Sequence, residues 1–307
     1  MCGKRCFNQL CLWCIIAADV TFSIALRFLG PVLVVLANGL IGLVVYIYLT
    51  LLTPRYLEPA LGPVLTFFVV AFGIFLLFNI LWNYWSCVLT RPGAPASQLP
   101  PLEELEAGTD FSDYGEGWRH CRKCKSGKPP RTHHCSVCRR CVMKMDHHCP
   151  WVNTCVGFHN YKFFCLFLIY LAAGCAFTAF TCAIPMLAGA DLHMRRSQSM
   201  LFCFVLTISV LFALSLFIGW HAYLVATNQT TIEFYSNRMD AADARKRGER
   251  WVNPYSLGLK GNFEQVFGVQ HSRLGFCMPS RKPPPGDGMN FEPNPALEML
   301  HASPYPV

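Results

Sequence analysis

Charged residues are scarce in this chain of 307 residues. They make up 14% of the sequence, whereas hydrophobic residues make up 53%. Soluble globular domains contain about 25% charged residues. The shortage therefore excludes an ordinary soluble domain and favours a protein that lies largely within a membrane.

Two kinds of segment are also missing. The N-terminal residues have no small-residue cleavage site after a short apolar core, which a signal peptide requires. The tail contains Pro283, Pro284 and Pro285 but no ankyrin-like repeat or other recognition module. No attached domain therefore indicates which substrate the protein recognises.

Four segments are long and apolar enough to cross a bilayer, which takes about 20 residues of α-helix. They cover approximately residues 30–52, 62–84, 163–187 and 200–227. We therefore predict an arm (1–29), a transmembrane hairpin (30–90), an acidic Pro-rich linker (91–118), a cysteine-rich domain (119–162), a second transmembrane hairpin (163–227) and a tail (228–307). This organisation predicts an α-helical integral membrane protein with a four-helix transmembrane bundle.

Lys and Arg are distributed unevenly between the two sides of these spans. The arm, the loop at 91–162 and the tail contain 23 of them, and the two opposite loops contain 3. Because cytoplasmic loops are enriched in Lys and Arg, both termini and the cysteine-rich loop are predicted to be cytosolic. The glycosylation sequence Asn228-Gln229-Thr230 would then face the cytosol and remain unmodified.

The arm allows two interpretations. Residues 7–29 are apolar but contain Asp19 and Arg27, so an interfacial segment is favoured and a fifth spanning helix is the alternative. Its cysteines are either small buried hydrophobes or acceptors of a lipid. They are Cys2, Cys6, Cys11 and Cys14.

The cysteine-rich segment repeats every 14 residues. Each of two interleaved copies supplies Cys-x2-Cys-x9-His-x6-Cys, a complete set of four ligands for a structural zinc ion. The sets are Cys121, Cys124, His134 and Cys141, and Cys135, Cys138, His148 and Cys155. A disulfide framework is the alternative, but it needs no repeated histidine and does not suit a reducing cytosol. His133 and His147 also recur, so the choice within each histidine pair stays open.

The third copy of the repeat is incomplete. Val152 stands where the second cysteine of the pair would be, so Cys149 has no ligand partner. The adjacent His147 could take the thiol proton and Asp146 could orient the imidazole, as in a Cys-His-Asp triad. Cys149 is therefore a candidate nucleophile, and a spare zinc ligand is the alternative reading.

The segment between Arg122 and Lys144 has eight basic residues and no acidic one. It could be a solvated face or rest on anionic lipid headgroups. It could also bind the phosphates of a nucleotide-containing substrate, for which Arg139, Arg140 and Lys144 are the candidates. Zinc-knuckle binding to nucleic acid is a third reading, disfavoured because the spans confine the segment to a membrane, so we expect no nucleic-acid partner.

The place of Cys149 restricts its substrate. The third span begins at Phe163, only 14 residues later, so the thiol lies at the membrane interface. A fatty acyl-coenzyme A fits, with its chain between helices, its thioester at the interface and its phosphates on basic residues. An acyl-enzyme on Cys149 could then pass the chain to a second thiol in two-step, ping-pong transfer.

These motifs resemble the DHHC protein S-acyltransferases, the palmitoyltransferases. The resemblance covers most of the chain, and its central sequence is Asp146-His147-His148-Cys149. It implies palmitoyl-coenzyme A as acyl donor, autoacylation of Cys149 activated by His147 and Asp146, and two structural zinc ions. It also implies membrane lipid and proteins with juxtamembrane cysteines as partners. We expect a Golgi or endoplasmic reticulum location, with the plasma membrane as the alternative.

Further motifs extend the resemblance. Thr230-Thr231-Ile232-Glu233 matches the Thr-Thr-x-Glu motif that packs near the active site, and Asn262 matches an asparagine that supports the last helices. Trp151 occupies the position of a tryptophan lining the acyl cavity. The chain departs from the family at Arg91-Pro92-Gly93, where Asp-Pro-Gly is usual.

Two other functions share most of these features. A catalytically idle, zinc-stabilised scaffold would keep the ligands and spans but would not need Asp146 and His147 beside a spare thiol. A thioesterase would use the same nucleophile and release free fatty acid. The complete prediction is a four-helix membrane bundle with a small cytosolic, zinc-stapled domain of short hairpins and S-acyltransferase activity.

Overall fold

The structure is a computed structural model that describes residues 2–95, 117–187, 195–268, 279–280 and 282–297, without the side chains of 2–19 and 195–197. It is mostly helical. The elements are α1 (Cys2–Ile47), a π-helix (Tyr48–Leu57), α2 (Glu58–Leu89), α3 (Tyr161–Leu187), α4 (Arg195–Ala226), α5 (Thr231–Lys246) and α6 (Gly258–Phe267). Between α2 and α3 lie six short strands, β1 to β6, and a 3₁₀ turn, Pro150–Val152.

Three helices in the described part of the chain are long and apolar enough to cross a membrane. They are Val20–Leu89, Tyr161–Leu187 and Gln198–Ala226. The first contains both of the N-terminal spans that the sequence predicts, joined without a loop. It is interrupted at Gly62, whose φ of 74° and ψ of 165° are not helical. Glycine adopts this conformation without steric cost, so the helical direction can change there.

The 14-residue sequence repeat is a repeated β-hairpin. The pairs are β1 (Arg119–Cys121) with β2 (Ser126–Lys128), β3 (His133–Cys135) with β4 (Arg140–Val142), and β5 (His147–Cys149) with β6 (Thr154–Val156). Each turn has one left-handed residue at the same place in the repeat, namely Lys125, Arg139 and Asn153. The short hairpins expected from the sequence are therefore present, and all three share one backbone pattern.

The turn of the third hairpin packs on the helices, while its strands contribute His148 and Cys155 to the second metal cluster. Its Val152 is 1% exposed and belongs to an apolar cluster with Tyr84 and Phe167. On the other side Asn153 lies against α1 so closely that a Cβ on Gly30 would be 2.1 Å from its Oδ1. The ligand missing from the third repeat is thus replaced by apolar packing at the junction of hairpin and bundle.

The N-terminal helix also contacts the hairpins. Ser23 donates a hydrogen bond of 3.1 Å to Ser136, and the Arg27 guanidinium donates to the carbonyl of Val137. The side chains of the N-terminal cysteines lie outside the described residues, as do residues 96–116 of the predicted linker. After α2, the carbonyls of Pro92 and Gly93 accept hydrogen bonds from His159 and Met143, which dock this segment on the hairpins.

Asn160 joins the hairpin domain to the bundle. Its side chain is fully buried, accepts from the Gly157 amide at 2.8 Å and donates to the Cys155 carbonyl at 2.9 Å. Its amide nitrogen also lies 3.4 Å from the carbonyls of Cys87 and Thr90 at the end of α2. One side chain therefore ties β6 and the start of α3 to the second helix.

We expect Asn160→Ala to lower the free energy of unfolding by about 2–3 kcal/mol, because buried groups lose their partners. The measurement is a denaturant titration in detergent micelles. Ser209→Ala is the matched control, since that hydroxyl is exposed and bonds only within its own helix. The control should change stability by less than about 0.5 kcal/mol. Equal small effects for both variants would contradict the role of Asn160.

Candidate active site

Cys149 ends strand β5 at the boundary between hairpin and bundle. It is 7% exposed and packs in the same apolar cluster as Tyr84, Val152 and Phe164. The carbonyl of the neighbouring Trp151 accepts a hydrogen bond of 2.9 Å from the Tyr84 hydroxyl, which fixes the turn after the cysteine against α2. The spare thiol of the repeat is thus held by packing, with no place in either metal cluster.

Asp146, His147 and Cys149 form a connected row. The Nδ1 atom of His147 is 2.6 Å from the Asp146 carboxylate, and the ring is within hydrogen-bonding reach of the Cys149 sulfur. Burial opposes ionisation of the ring, but Asp146 and Cys149 outweigh it and raise the pKa of His147 to about 9. Burial also opposes ionisation of Asp146, yet His147 holds the pKa of that carboxyl below its usual value.

The start of α5 holds the Asp146 carboxylate. The Thr231 amide donates to Oδ1 at 2.8 Å, and the Thr231 hydroxyl donates to Oδ2 at 3.1 Å. Thr230 caps the helix in a reciprocal capping box with Glu233. The Thr-Thr-x-Glu sequence therefore has two structural roles. It caps the N-terminus of α5, and it places that terminus against the carboxylate that orients His147.

A deep apolar cavity opens beside the row. Its volume is about 460 Å³, and its lining comes from α1, α2, α3 and α4 together with His147, Cys149 and Trp151. On α3 the lining extends from Phe164 to Thr178, a distance of 14 residues. Because an α-helix rises about 1.5 Å per residue, the cavity is about 20 Å deep. The site can therefore bring a long apolar chain to the Cys149 thiol.

Two clusters have the composition and geometry of metal sites. Each gathers three cysteines and one histidine with ligand atoms within 4.8 Å of one another. In the first, His134 Nδ1 is 3.2 Å from Cys124 Sγ, and Cys124 and Cys141 sulfurs are 3.7 Å apart. Tetrahedral zinc with bonds of about 2.0–2.3 Å separates its ligands by about 3.5 Å. The residues therefore fit a metal ion, and the clusters contain His134 and His148, not His133 and His147.

The remaining predicted site residues occupy different environments. Trp151 is 48% exposed and lines the cavity, while Arg139 and Arg140 are exposed at the turn between β3 and β4. Lys144 is buried, with its ammonium 3.3 Å from the Asn228 side chain and 3.4 Å from that of Gln265. Burial holds the pKa of Lys144 well below its usual value. Of the three expected phosphate contacts, Lys144 is therefore the one whose position does not suit a soluble anion.

The side chain of Asn262 lies between the end of α4 and the start of α6. It is 1% exposed, donates to the Ala226 carbonyl at the end of α4, and accepts from the Leu257 amide before α6. Both contacts are 2.7 Å long. The side chain therefore connects the end of the last long helix to the tail.

Two buried residues near the row were not predicted from the sequence as site residues. His221 on α4 is buried, its ring centroid is 6.0 Å from that of His147, and its Nδ1 is 3.0 Å from the Tyr161 hydroxyl. A lone imidazole within an apolar span was the available signal. Arg131 is buried and binds Glu233 through two contacts of 2.7 Å. It lies within the basic run, and nothing in its spacing separates it from exposed neighbours.

Comparison with known proteins agrees with the geometry. The family model described as DHHC palmitoyltransferase matches residues 115–238. "Probable protein S-acyltransferase 13" of Arabidopsis thaliana is 38% identical over 266 residues, covering 80% of this chain and 84% of the relative. "Probable protein S-acyltransferase 14" of the same plant is 36% identical over 268 residues, covering 81% and 84%. "Palmitoyltransferase ZDHHC20" of Bos taurus is 34% identical over 249 residues, covering 73% and 66%.

A thiol and an imidazole line an apolar cavity, and a carboxylate contacts the imidazole, an arrangement that suits a membrane enzyme with a cysteine nucleophile. The chain belongs to the DHHC palmitoyltransferase family. It is therefore a protein S-acyltransferase, and the expectation of that enzyme class is confirmed.

Proposed function

We propose that the enzyme transfers a long-chain fatty acyl group, namely palmitoyl, from acyl-coenzyme A to protein cysteines. The transfer proceeds through an acyl-enzyme on Cys149. One observation carries the proposal. The Cys149 side chain lines the apolar cavity and at the same time lies within reach of the His147 ring that Asp146 orients. A thiol in this position meets both an acyl chain and a base.

The proposed reaction has two balanced steps. Cys149 gives its proton to His147 and attacks the thioester carbonyl, the bond from that carbon to coenzyme A sulfur breaks, and the departing thiolate takes the proton from His147. In the second step the protein cysteine gives its proton to His147 and attacks the new thioester. Cys149 leaves as the thiolate and takes the proton back from His147, which restores the starting enzyme. Asp146 stays ionised throughout and stabilises the cationic ring.

The cavity supports a long acyl chain as the substrate. Its depth of about 20 Å suits an extended fatty acid, and nearly all of its lining side chains are apolar. Trp151 lines the cavity together with Cys149, so its ring would cover the first carbons beyond the thioester. Burial of each methylene contributes about 0.8 kcal/mol, so the chain supplies much of the binding energy of the donor.

We assign the phosphates of coenzyme A to Arg139 and Arg140. Both side chains are exposed on a hairpin turn and free of the buried contacts that engage Lys144. Arginine binds phosphate through two parallel hydrogen bonds, which suits a diphosphate. Lys144 is left out of this assignment because its ammonium is buried among carboxamide oxygens.

We propose that both clusters hold structural zinc. Three thiolates and one imidazole are a common ligand set for this metal, and all four positions are taken by the protein. Zinc bound there would fix the hairpins and the backbone on either side of Cys149. Asp146, His147 and Cys149 themselves remain outside the ligand sets.

We propose that the first long helical run crosses the membrane twice, which gives a four-helix bundle. Ile41 of α1 and Ile80 of α2 pack in one cluster and line one cavity, so the run folds back and its two halves face the same space. The Lys and Arg distribution then supports cytosolic termini and a cytosolic active site. Golgi or endoplasmic reticulum membranes, and substrates with juxtamembrane cysteines, follow as the expected setting.

The function is tested with purified enzyme in detergent and labelled palmitoyl-coenzyme A. Mass spectrometry should find the acyl group on Cys149, and a cysteine-containing peptide added afterwards should take it over. Release of free fatty acid without transfer would support a thioesterase instead. Absence of any acyl-enzyme would refute the proposal and would favour the catalytically idle scaffold.

Thr231→Val should slow formation of the acyl-enzyme about tenfold, because a hydrogen bond to a charged group contributes about 1.5–3 kcal/mol. Valine keeps the shape and the backbone contact to Asp146 but removes the hydroxyl contacts to Asp146 and to the Trp220 indole. Ser236→Ala is the control, since that hydroxyl bonds only the Glu233 carbonyl. Single-turnover acylation is the measurement, and equal rates for the two variants would show that the Thr231 hydroxyl is not needed.

A further inference from the structure

A short tail loop has a preformed shape. In Gly286–Phe291, the Asp287 carboxylate accepts hydrogen bonds of 2.8 Å from the amides of Met289 and Asn290. Gly286 and Gly288 both have positive φ, of 89° and 75°. A residue with a side chain would be strained at either position, so the sequence itself sets the turn.

The loop is fitted closely to the hairpin domain. A Cβ on Gly288 would lie 2.7 Å from the Phe158 ring, so only glycine allows this approach. Downstream, Asn294 donates to the Asn253 carbonyl at 2.8 Å and to the Pro254 carbonyl at 2.7 Å. The loop is thus held at both ends, and Phe291 projects between them toward the basic residues of the domain.

Phe291 covers a buried cation. The Arg131 guanidinium lies 4.8 Å from the Phe291 ring centroid and 4.4 Å from that of Tyr255, and these two rings contact each other at an angle of 67°, so the cation packs against both faces of the corner that they form. The Lys144 ammonium is 5.8 Å from the Phe291 ring as well. Cation–π contacts of this kind strengthen when water is excluded, and the Arg131 side chain is fully buried.

Arg131 in turn holds the helix terminus that orients Asp146. Its two contacts to Glu233 fix the carboxylate that closes the capping box of α5. Thr231, the first residue of α5 after the Thr230 cap, binds Asp146 through both amide and hydroxyl. An unbroken series of contacts therefore connects Phe291 to the carboxylate beside His147.

We propose that the loop Gly286–Phe291 is a positioning element of the active site, and that Phe291 acts through Arg131 and Glu233 to set Asp146. The proposal rests on the acyl transfer proposed above. Phe291 touches neither the acyl cavity nor Cys149, so it affects the rate of the chemical step and not the binding of the donor. Small misplacements of a catalytic group can cost about 100-fold in rate.

The test is a set of Phe291 variants in the full chain. Phe291→Ala should lower the single-turnover rate of Cys149 acylation at least about tenfold, with KM for palmitoyl-coenzyme A and zinc content within about twofold of wild type. Phe291→Tyr keeps the aromatic face and should retain most of the rate. Phe291→Leu keeps bulk without the aromatic face and should be intermediate, which gives a second variant if alanine prevents folding.

The double variant of Phe291→Ala and Thr231→Val distinguishes a positioning role of Phe291 from a general structural role. Thr231→Val weakens the same carboxylate contact, so its effect and that of Phe291→Ala should combine to less than the product of the two. Leu259→Ala on α6 is the matched control, because that side chain is 71% exposed and distant from Arg131 in the contact series. It should leave the rate unchanged.

Several results would overturn the proposal. They are an unchanged rate in Phe291→Ala, a fall in rate that only follows lost zinc, a raised KM at normal rate, and full multiplicativity with Thr231→Val. Lack of acylation in the wild-type enzyme would instead refute the proposed function. The two failures are therefore distinguishable in one experiment.

Discussion

Cys149→Ser should abolish the acyl-enzyme, with acylation at least about 1,000-fold slower than in wild type. The thiolate is the attacking form of cysteine, whereas a serine hydroxyl is far less acidic and His147 alone activates it poorly. The substitution changes one atom in the apolar cluster and leaves both ligand sets intact. Zinc content should therefore remain at wild-type level while the label from palmitoyl-coenzyme A disappears.

Cys165→Ser is the matched control for this variant. Cys165 is buried at the start of α3 and belongs to neither metal cluster. It should acylate at the wild-type rate. Persistent labelling of Cys149→Ser would locate the nucleophile elsewhere, and a joint loss of zinc and label would favour the reading of Cys149 as a spare ligand.

Cys155→Ala should remove one of two zinc ions and eliminate activity. Cys155 is fully buried and lies directly opposite His148 in the β5–β6 hairpin. Binding of structural zinc contributes about 10–16 kcal/mol to such small domains, so loss of one ligand should unfold the hairpin that carries Cys149. Zinc per chain should fall from two to one, with new protease cleavage between Met145 and Asn160.

Cys165→Ala serves as the corresponding control, because it removes a buried thiol of equal size outside both clusters. It should keep both metal ions and resist the protease as wild type does. Full activity of Cys155→Ala with one zinc ion would show that the second cluster does not support Cys149. Retention of both ions would show that the ligand assignment is wrong.

The two Cys3His clusters and the contact between Asp146 and His147 were predictable from the sequence because local spacing determines them. Ligands at fixed intervals in a 14-residue repeat must meet when each repeat forms the same hairpin. His134 and Cys141 illustrate this, since they are cross-strand neighbours in β3 and β4. The capping box of Thr230 and Glu233 is equally local, because capping depends on residues three positions apart.

Contacts between distant segments could not be predicted in the same way. Arg131 and Glu233 are 102 positions apart, and Arg131 lies in the same basic run as exposed residues such as Lys125 and Arg139. The structure also differs from the prediction of four separate spans, because the first two predicted spans lie in one helical run from Val20 to Leu89. Hydropathy shows how long an apolar segment is. It does not show whether the helix continues through a glycine such as Gly62 or is interrupted there.

The third hairpin gives the nucleophile two attachments of different kinds. Behind Cys149, His148 belongs to a metal cluster, and in front of it Val152 and Asn153 are lodged against the helices. A chelator acts on the first attachment and leaves the second, whereas a bulky residue at Gly30 acts on the second and leaves the first. Demetallation and displacement from the helix are therefore separate ways of losing activity, one reversible by added metal and the other not.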